Sequence, residues 1–196
     1  MARLSRDFFA VPTLQVARAL LGQRLVHRCD GQLLSGRILE TEAYIGEEDQ
    51  ACHARVGKTA RTSVMYTAPG HAYVYFTYGM HWLLNFVTEP EGFPAAVLVR
   101  ALLPESGVAV MRRLRGGKPD AILADGPAKL TQALAIDGDL NGQDVCARGA
   151  QLWVEEARAV PDTAVVRGPR IGLGSTPEPW KSKPWNFKLN PDRVGF

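Results

Sequence analysis

The stretch "HAYVYFTYGMHWLLNFVT", residues 71 to 88, is the strongest constraint on the fold. Aromatic and β-branched residues fill it, and the run is interrupted once, at Tyr78-Gly79-Met80. Such composition favours extended strands, and a glycine-bearing break between two of them marks a hairpin tip. A second hairpin follows from "RLVHR" and "LLSGRILETEAY", which flank "CDGQ" and its Asp30-Gly31 turn. On the second of these strands Ile38, Glu40 and Glu42 are expected to share one face, and Leu39, Thr41 and Ala43 the other. "AAVLVRALL" reads as a further strand, apolar except for Arg100.

"TLQVARALL" places Leu14, Ala17, Leu20 and Leu21 at helical spacing after Pro12, with Gly22 as the stop. "PESGVAVMRRLR" and "GPAKLTQALAI" predict two more helices, the latter with Pro127 in its first turn, and "QLWVEE" a strand. From Arg158 onward glycine, proline, tryptophan and basic residues predict irregular chain. Strands joined mostly by hairpins, with helices before, between and after them, predict one α+β domain over residues 1–196. Its expected core is a curved antiparallel or mixed sheet surrounded by helices, with a protruding β-hairpin.

Hydrophobic residues at 46% and charged residues at 22% exclude wholesale disorder. Asp7, Gln15 and Arg18 interrupt any N-terminal run that could serve as a signal core or a membrane span. Cys29, Cys52 and Cys146 form no C-x-x-C pair, so neither a disulfide framework nor a zinc ribbon is supported, and a cytoplasmic protein is expected. The net charge of +3 is clustered: Arg55, Lys58 and Arg61 lie in an acid-free stretch, then come Arg112, Arg113, Arg115 and Lys118, then the basic residues from Arg158 onward. Clusters of this kind suit a polyanion, although solvated loops and helix faces account for them equally well.

Against this basic background stands "ETEAYIGEEDQACHA", residues 40 to 54. No H-x-x-x-H, D-x-D-x-D-G or E-x-x-H spacing occurs there, so no metal is expected. Glu47, Glu48 and Asp49 follow Gly46 as the first turn of a short helix would, where acids complement the dipole and face water. Glu42 differs, because it ends an apolar strand where a carboxylate is costly without a partner such as Arg37 or Arg100. From position alone a structural salt bridge and a catalytic base both remain open.

Taken together, "GRILETEAY", "EDQACH", "PGHAYVYFTYGMHWLLN", "VLVRAL", "GPAKLTQALAI" and "RIGLG" resemble the alkyladenine DNA glycosylase family, the mammalian-type 3-methyladenine DNA glycosylases. The likeness is collinear from about residue 13 to the C-terminus and keeps the spacing of eleven residues from Glu42 to His53. It implies an enzyme that flips alkylated or deaminated purines (the 3-methyladenine, 7-methylguanine, hypoxanthine and etheno-adenine class) out of duplex DNA. It would hydrolyse their N-glycosidic bond without metal, cofactor or lyase activity, as a monomer that starts base excision repair.

By the same resemblance Glu42 matches the general base, and Arg100 with the main-chain carbonyl of Ile171 matches the groups that hold the attacking water. Tyr44, His53 and Tyr75 match the walls of the base pocket, with His53 donating to the base edge and Asn85 obstructing the exocyclic amine of guanine. Ala51 matches a main-chain N–H turned toward the purine. Tyr78 matches the side chain that fills the gap in the duplex, with Met80 beside it, and Met65, Arg61 and Lys129 match positions near bound DNA. Against the family pattern the loop from His53 to Met65 is expected to be one residue shorter than in the animal form, the turn "TEPEGFPA" longer, and no long N-terminal extension is expected. Two rival classes share these features: a non-catalytic nucleic-acid-binding module that stacks bases on the tyrosine hairpin, which has no use for a carboxylate beside its pocket, and a small-molecule hydrolase such as a nucleoside hydrolase.

Overall fold

The longest strand starts at the Asp30-Gly31 turn, where both residues have positive φ (49° and 74°), backbone that an Asp-Gly pair adopts readily. The structure, a computed structural model, describes residues 2–157 and 159–190. Among these, β1 (Arg24–Cys29) and β2 (Gln32–Ile45) form the first hairpin, with Cys29 opposite Gln32 and Arg24 opposite Arg37. The second consists of β3 (Ala72–Thr77) and β4 (His81–Val87), turning at residues 78–80 as the sequence predicts. With β5 (Ala95–Ser106) and β6 (Leu152–Glu155) the sheet runs β3-β4-β5-β2-β1-β6. The protein is thus α+β, and of the antiparallel and mixed alternatives every strand pairing among the described residues is antiparallel.

The described helices are α1 (Arg6–Phe9), α2 (Thr13–Ala19), α3 (Val108–Leu114) and α4 (Pro127–Ala133). None is long and apolar enough to cross a membrane. α2 packs on β2 and β5 and α4 on β4 and β5, so Val16, Ala17, Leu130 and Ala133 meet Ile38, Phe86, Val97 and Val99 in the main core. Burying each large side chain there contributes roughly 1.5–3 kcal/mol. A smaller cluster of Cys52, Ala54, Met65, Tyr73, Val87 and Ala96 lies to one side.

Three expectations change. The helix predicted from residue 104 begins only at Val108, because β5 continues through Ser106 and Gly107 turns the chain at φ 75°, where an added Cβ would meet Leu34 Cδ2 at 2.5 Å. The stretch predicted to be irregular contains β7 (Val165–Gly168) and β8 (Asn186–Leu189), which pair with each other, while β8 also pairs with Glu40, Thr41 and Glu42 of β2. Four-residue strands carry too little alternation to stand out, and Arg158 and the residues beyond 190 lie outside the described ones. Finally, Ile38 does not share a face with Glu40 and Glu42. It joins the main core with Ala43, and the Thr41 hydroxyl donates to the Ala17 carbonyl of α2, while Glu40 and Glu42 converge elsewhere. A bulge between Ile38 and Glu40 inserts Leu39 and inverts the alternation beyond it.

β2 is therefore held on both edges, and β5 shifts register against it again between Ser35 and Gly36. A Cβ on Gly36 would sit 2.7 Å from the main-chain oxygen of Leu103, which cannot move without disturbing the ladder. Gly36→Ala is expected to cost about 1–3 kcal/mol of stability by urea denaturation. Gly149→Ala, whose added Cβ meets nothing within 4 Å, should stay within about 0.5 kcal/mol of the parent; equal stability of the two variants would show that the strands do not approach this closely.

Candidate active site

Two consecutive register shifts build the centre of the site. Past Leu39, the pairing steps from Glu40–Ala101 to Thr41–Val99, so Arg100 is an extra residue on β5. A bulge re-aims the side chain it carries, and here it turns Arg100 toward the two carboxylates of β2. Arg100 Nε donates to Glu40 Oε1 at 3.1 Å and Nη1 to Glu42 Oε2 at 3.2 Å. From β8, Asn186 Nδ2 reaches Glu40 Oε1 at 2.8 Å and Glu42 Oε1 at 3.1 Å. Glu42 also accepts from the main-chain N–H of Ile171 (2.6 Å) and from the Tyr44 hydroxyl (2.9 Å). Its side chain is 0% exposed, and a carboxylate withdrawn this far from water needs such donors to replace the lost hydration.

In front of this network lies a cavity of about 570 Å³, within the range of small-molecule sites. Of the predicted residues, Tyr44, Ala51, His53, Met65, Tyr75, Tyr78, Asn85, Arg100 and Ile171 all line it. Glu42 sits one layer behind, bonded to three of them. Tyr75 and His53 meet edge to face, ring centroids 4.5 Å apart. His53 Nδ1 lies 3.0 Å from the Tyr73 hydroxyl, and Asn85 Nδ2 donates to the Tyr73 carbonyl. Burial, reinforced by Arg61 and Arg55, lowers His53 from its ordinary 6.5 to about 4, so the imidazole is neutral at pH 7. Burial likewise pushes the Tyr44 and Tyr75 phenols upward, with Glu42 adding to the effect at Tyr44, and both remain protonated donors.

Other predicted residues fall differently. Met65 is 2% exposed and packs in the smaller core cluster, because the 3-10 turn Ser63–Tyr66 directs it inward; it is a wall of the cavity and not a surface group. The Ala51 N–H is taken by Asp49 Oδ1 at 3.0 Å, so it is not turned free toward a ligand. Arg61 stacks its guanidinium 5.3 Å from the Tyr75 ring centroid, at the rim, and Lys129 pairs with Asp125 on the exposed start of α4. His81 also lines the cavity, whereas His27 and His71 bond to main-chain carbonyls.

The hairpin tip is apolar and exposed: Tyr78 is 85% and Met80 67% accessible. Met80 N–H donates to the Thr77 carbonyl around Tyr78 and Gly79, whose φ values are 51° and 67°, the signature of a type I′ turn. Gly79 adopts this backbone freely, whereas an aromatic residue at positive φ is rare and marks a position held for a purpose.

Sequence reasoning missed the clamp behind the site. Asp49, expected to face water in a helical turn, is buried in a non-helical turn with Arg170, both side chains 0% exposed. Arg170 donates to both Asp49 oxygens (2.5 and 2.8 Å) and to the carbonyls of Ala43 and Trp180, and stacks against Tyr44 and Trp185. It thereby fixes the chain next to Ile171, whose N–H holds Glu42. The only available signal was that both residues fall inside segments already singled out, "EDQACH" and "RIGLG". Among the described residues no cluster of His, Cys, Asp and Glu could hold a metal ion.

The sequence profile of the family described as methylpurine-DNA glycosylase matches residues 7–193. A protein of Methanocella arvoryzae is 50% identical over 188 residues, covering 95% of this chain and 92% of its own. One of Carboxydothermus hydrogenoformans is 48% identical (95% and 94% covered), and one of Chlorobaculum parvum 45% identical (92% and 87% covered). All three are provisionally named 3-methyladenine DNA glycosylases.

Asp49→Asn is expected to destabilise the protein by about 3–5 kcal/mol in chemical denaturation, since it leaves the Arg170 charge buried and unpaired; a loss below about 1 kcal/mol would mean the pair is solvated. For His53, an NMR titration should give a midpoint of about 4. Between that value and 6.5 the unfolded chain binds more protons, so the contribution of His53 to stability is complete above pH 6.5 and declines as pH falls toward 4. A midpoint near 6.5 would place the ring in water.

Proposed function

The chain belongs to the methylpurine-DNA glycosylase family, and from that membership and the geometry of the cavity we propose that it excises damaged purines from duplex DNA with a water molecule activated by Glu42. The observation that carries this reading is the placement of Glu42: a buried carboxylate bonded to Tyr44, Arg100 and Ile171, three residues of the cavity wall. A module that only stacked bases would have no use for it.

The exposed tip of the β3–β4 hairpin enters the minor groove, where Tyr78, with Met80 beside it, fills the space of an everted nucleotide and offsets part of the few kcal/mol that unstacking costs. Arg61 and Lys129 lie along the path of the phosphates. The purine enters between Tyr44 and Tyr75, with His53 at its edge and Asn85 closing one side. His53 is neutral, and with the Tyr73 hydroxyl donating to Nδ1 its proton sits on Nε2, which donates to the base. An N-alkylated purine is electron-poor and often cationic, so stacking between tyrosines gains a cation–π contribution that an undamaged base lacks. Lesions of the 3-methyladenine, 7-methylguanine, hypoxanthine and etheno-adenine class fit this scheme.

In the reaction the C1′–N bond breaks, its electron pair leaves with the base, and water adds to C1′ while its proton passes to Glu42. The carboxylate also stabilises positive charge developing on the sugar. Four protein donors already engage Glu42, so water gains access by displacing one of them. The Tyr44 hydroxyl is the one least constrained, since Arg100 is also tied to Glu40 and the Ile171 N–H is fixed by the clamp. Arg100 and the carbonyl of Ile171 then hold the water. No lysine stands among these groups, so the enzyme acts by hydrolysis alone.

Glu42→Gln is expected to lower base release from a duplex bearing a single alkylated purine by about 10²–10⁴-fold while lesion binding persists. Borohydride should trap no covalent enzyme–DNA adduct with the parent protein. Base release by the variant at the parent rate, or a trapped adduct, would remove Glu42-activated water from the mechanism.

A further inference from the structure

Glu40 is unused in this mechanism, yet it is nearly as buried as Glu42. Its side chain is 10% exposed, against 0% for Glu42 and 13% for Arg100. One guanidinium and one amide serve both carboxylates: Arg100 and Asn186 each donate to Glu40 Oε1 and to Glu42. The other buried guanidinium nearby, Arg170, is committed to Asp49. Lys188 stands opposite Glu40 on β8 but is exposed, where water screens its charge. The cluster of Glu40, Glu42 and Arg100 therefore carries an excess negative charge behind a wall from which water is largely displaced, where a charge acts over longer range than in solvent.

We infer that Glu40 is a specificity-determining residue: acting through Arg100, it keeps the floor of the cavity anionic and biases the site toward cationic occupants, N-alkylated purines and the positively charged sugar that forms as they leave. This rests on the proposed glycosylase reading and goes beyond it, because one carboxylate with one arginine would be electrically balanced and would serve neutral and charged bases alike. Nor does Glu40 merely support Arg100. An amide oxygen at the same place would accept the same two hydrogen bonds, so the geometry alone does not call for a second charge.

Glu40→Gln separates these roles, since it keeps the acceptor and removes the charge. The test compares two duplexes in direct binding: one with a protonated pyrrolidine in place of the deoxyribose, one with the neutral tetrahydrofuran analogue. The parent protein is expected to favour the pyrrolidine duplex, and the variant to lose about tenfold of that preference, on the order of the effect of one unit charge through protein. Single-turnover release of 7-methylguanine should fall by about the same factor more than release of hypoxanthine. A parent that binds both analogues equally overturns the inference whatever the variant does, and so does a variant that loses affinity for both to the same extent, which is the outcome of a merely structural role. The binding ratio needs no turnover. A parent that releases no base at all would sink the glycosylase reading, while the two analogues would still decide the charge of the cavity floor.

Discussion

Withdrawing a carboxylate from water into the interior of a sheet is the constraint on which the rest of this structure depends. Glu42 has no solvent exposure, and every element around it supplies a donor in place of the lost hydration. β5 supplies Arg100 by carrying an extra residue, β8 supplies Asn186 by pairing with the far half of β2, and the chain before β8 supplies the N–H of Ile171. Each of these features looks like an irregularity by itself. Together they are the arrangement that lets a charged group lie beside a cavity lined by tyrosines.

The two buried ionic groups differ in a way that separates support from chemistry. In the Asp49–Arg170 pair one cation meets one anion, and the pair ties together main chain from residues 43 to 51 and from 170 to 180. An apolar pair of the same volume could stabilise the fold as well or better, so its value lies in position: it fixes the direction of the Ile171 N–H and presses Tyr44 flat against a guanidinium. The Glu40–Glu42–Arg100 group is unbalanced and borders the cavity. A protein selected only for stability would neutralise that imbalance, whereas one that must receive positive charge has reason to keep it.

How far all this was legible in sequence follows from range. Both hairpins, α2 and the apolar strand around Arg100 were visible because alternation, helical spacing and turn residues are local signals. The parity of β2 was not, since a bulge is a property of two strands in register and leaves no mark in either alone. Asp49 and Arg170 are separated by 121 positions, and nothing in "GEEDQ" or "RGPRIG" distinguishes a buried pair from solvated charges. Of the candidate site, the tyrosines, His53, Asn85, Glu42 and Arg100 were found because a resemblance placed them. Chemistry alone found only the problem of a lone arginine and a lone glutamate on apolar strands.

That problem also explains why the exposed and buried parts of the site obey opposite rules. At the hairpin tip Tyr78 and Met80 stay in water, and a non-glycine residue holds positive φ, so apolar surface and backbone strain are kept available for contact with another molecule. Behind the cavity the reverse holds: polar groups are hidden and, the Arg170 Nε apart, engaged by partners that include main-chain bonds. The hairpin is carried by β3 and β4 and the carboxylates by β2, but β5 joins them directly, pairing with β4 on one side and β2 on the other. Leu98 of β5 faces both Asn85 and Glu42 across the two ladders, so the hairpin, Asn85 in the cavity wall and the carboxylate are related by hydrogen-bonded strands. The proposed role, holding an everted base within reach of one oxygen atom, depends on that rigidity, because ångström-scale misplacement is enough to lose most of the benefit of orientation.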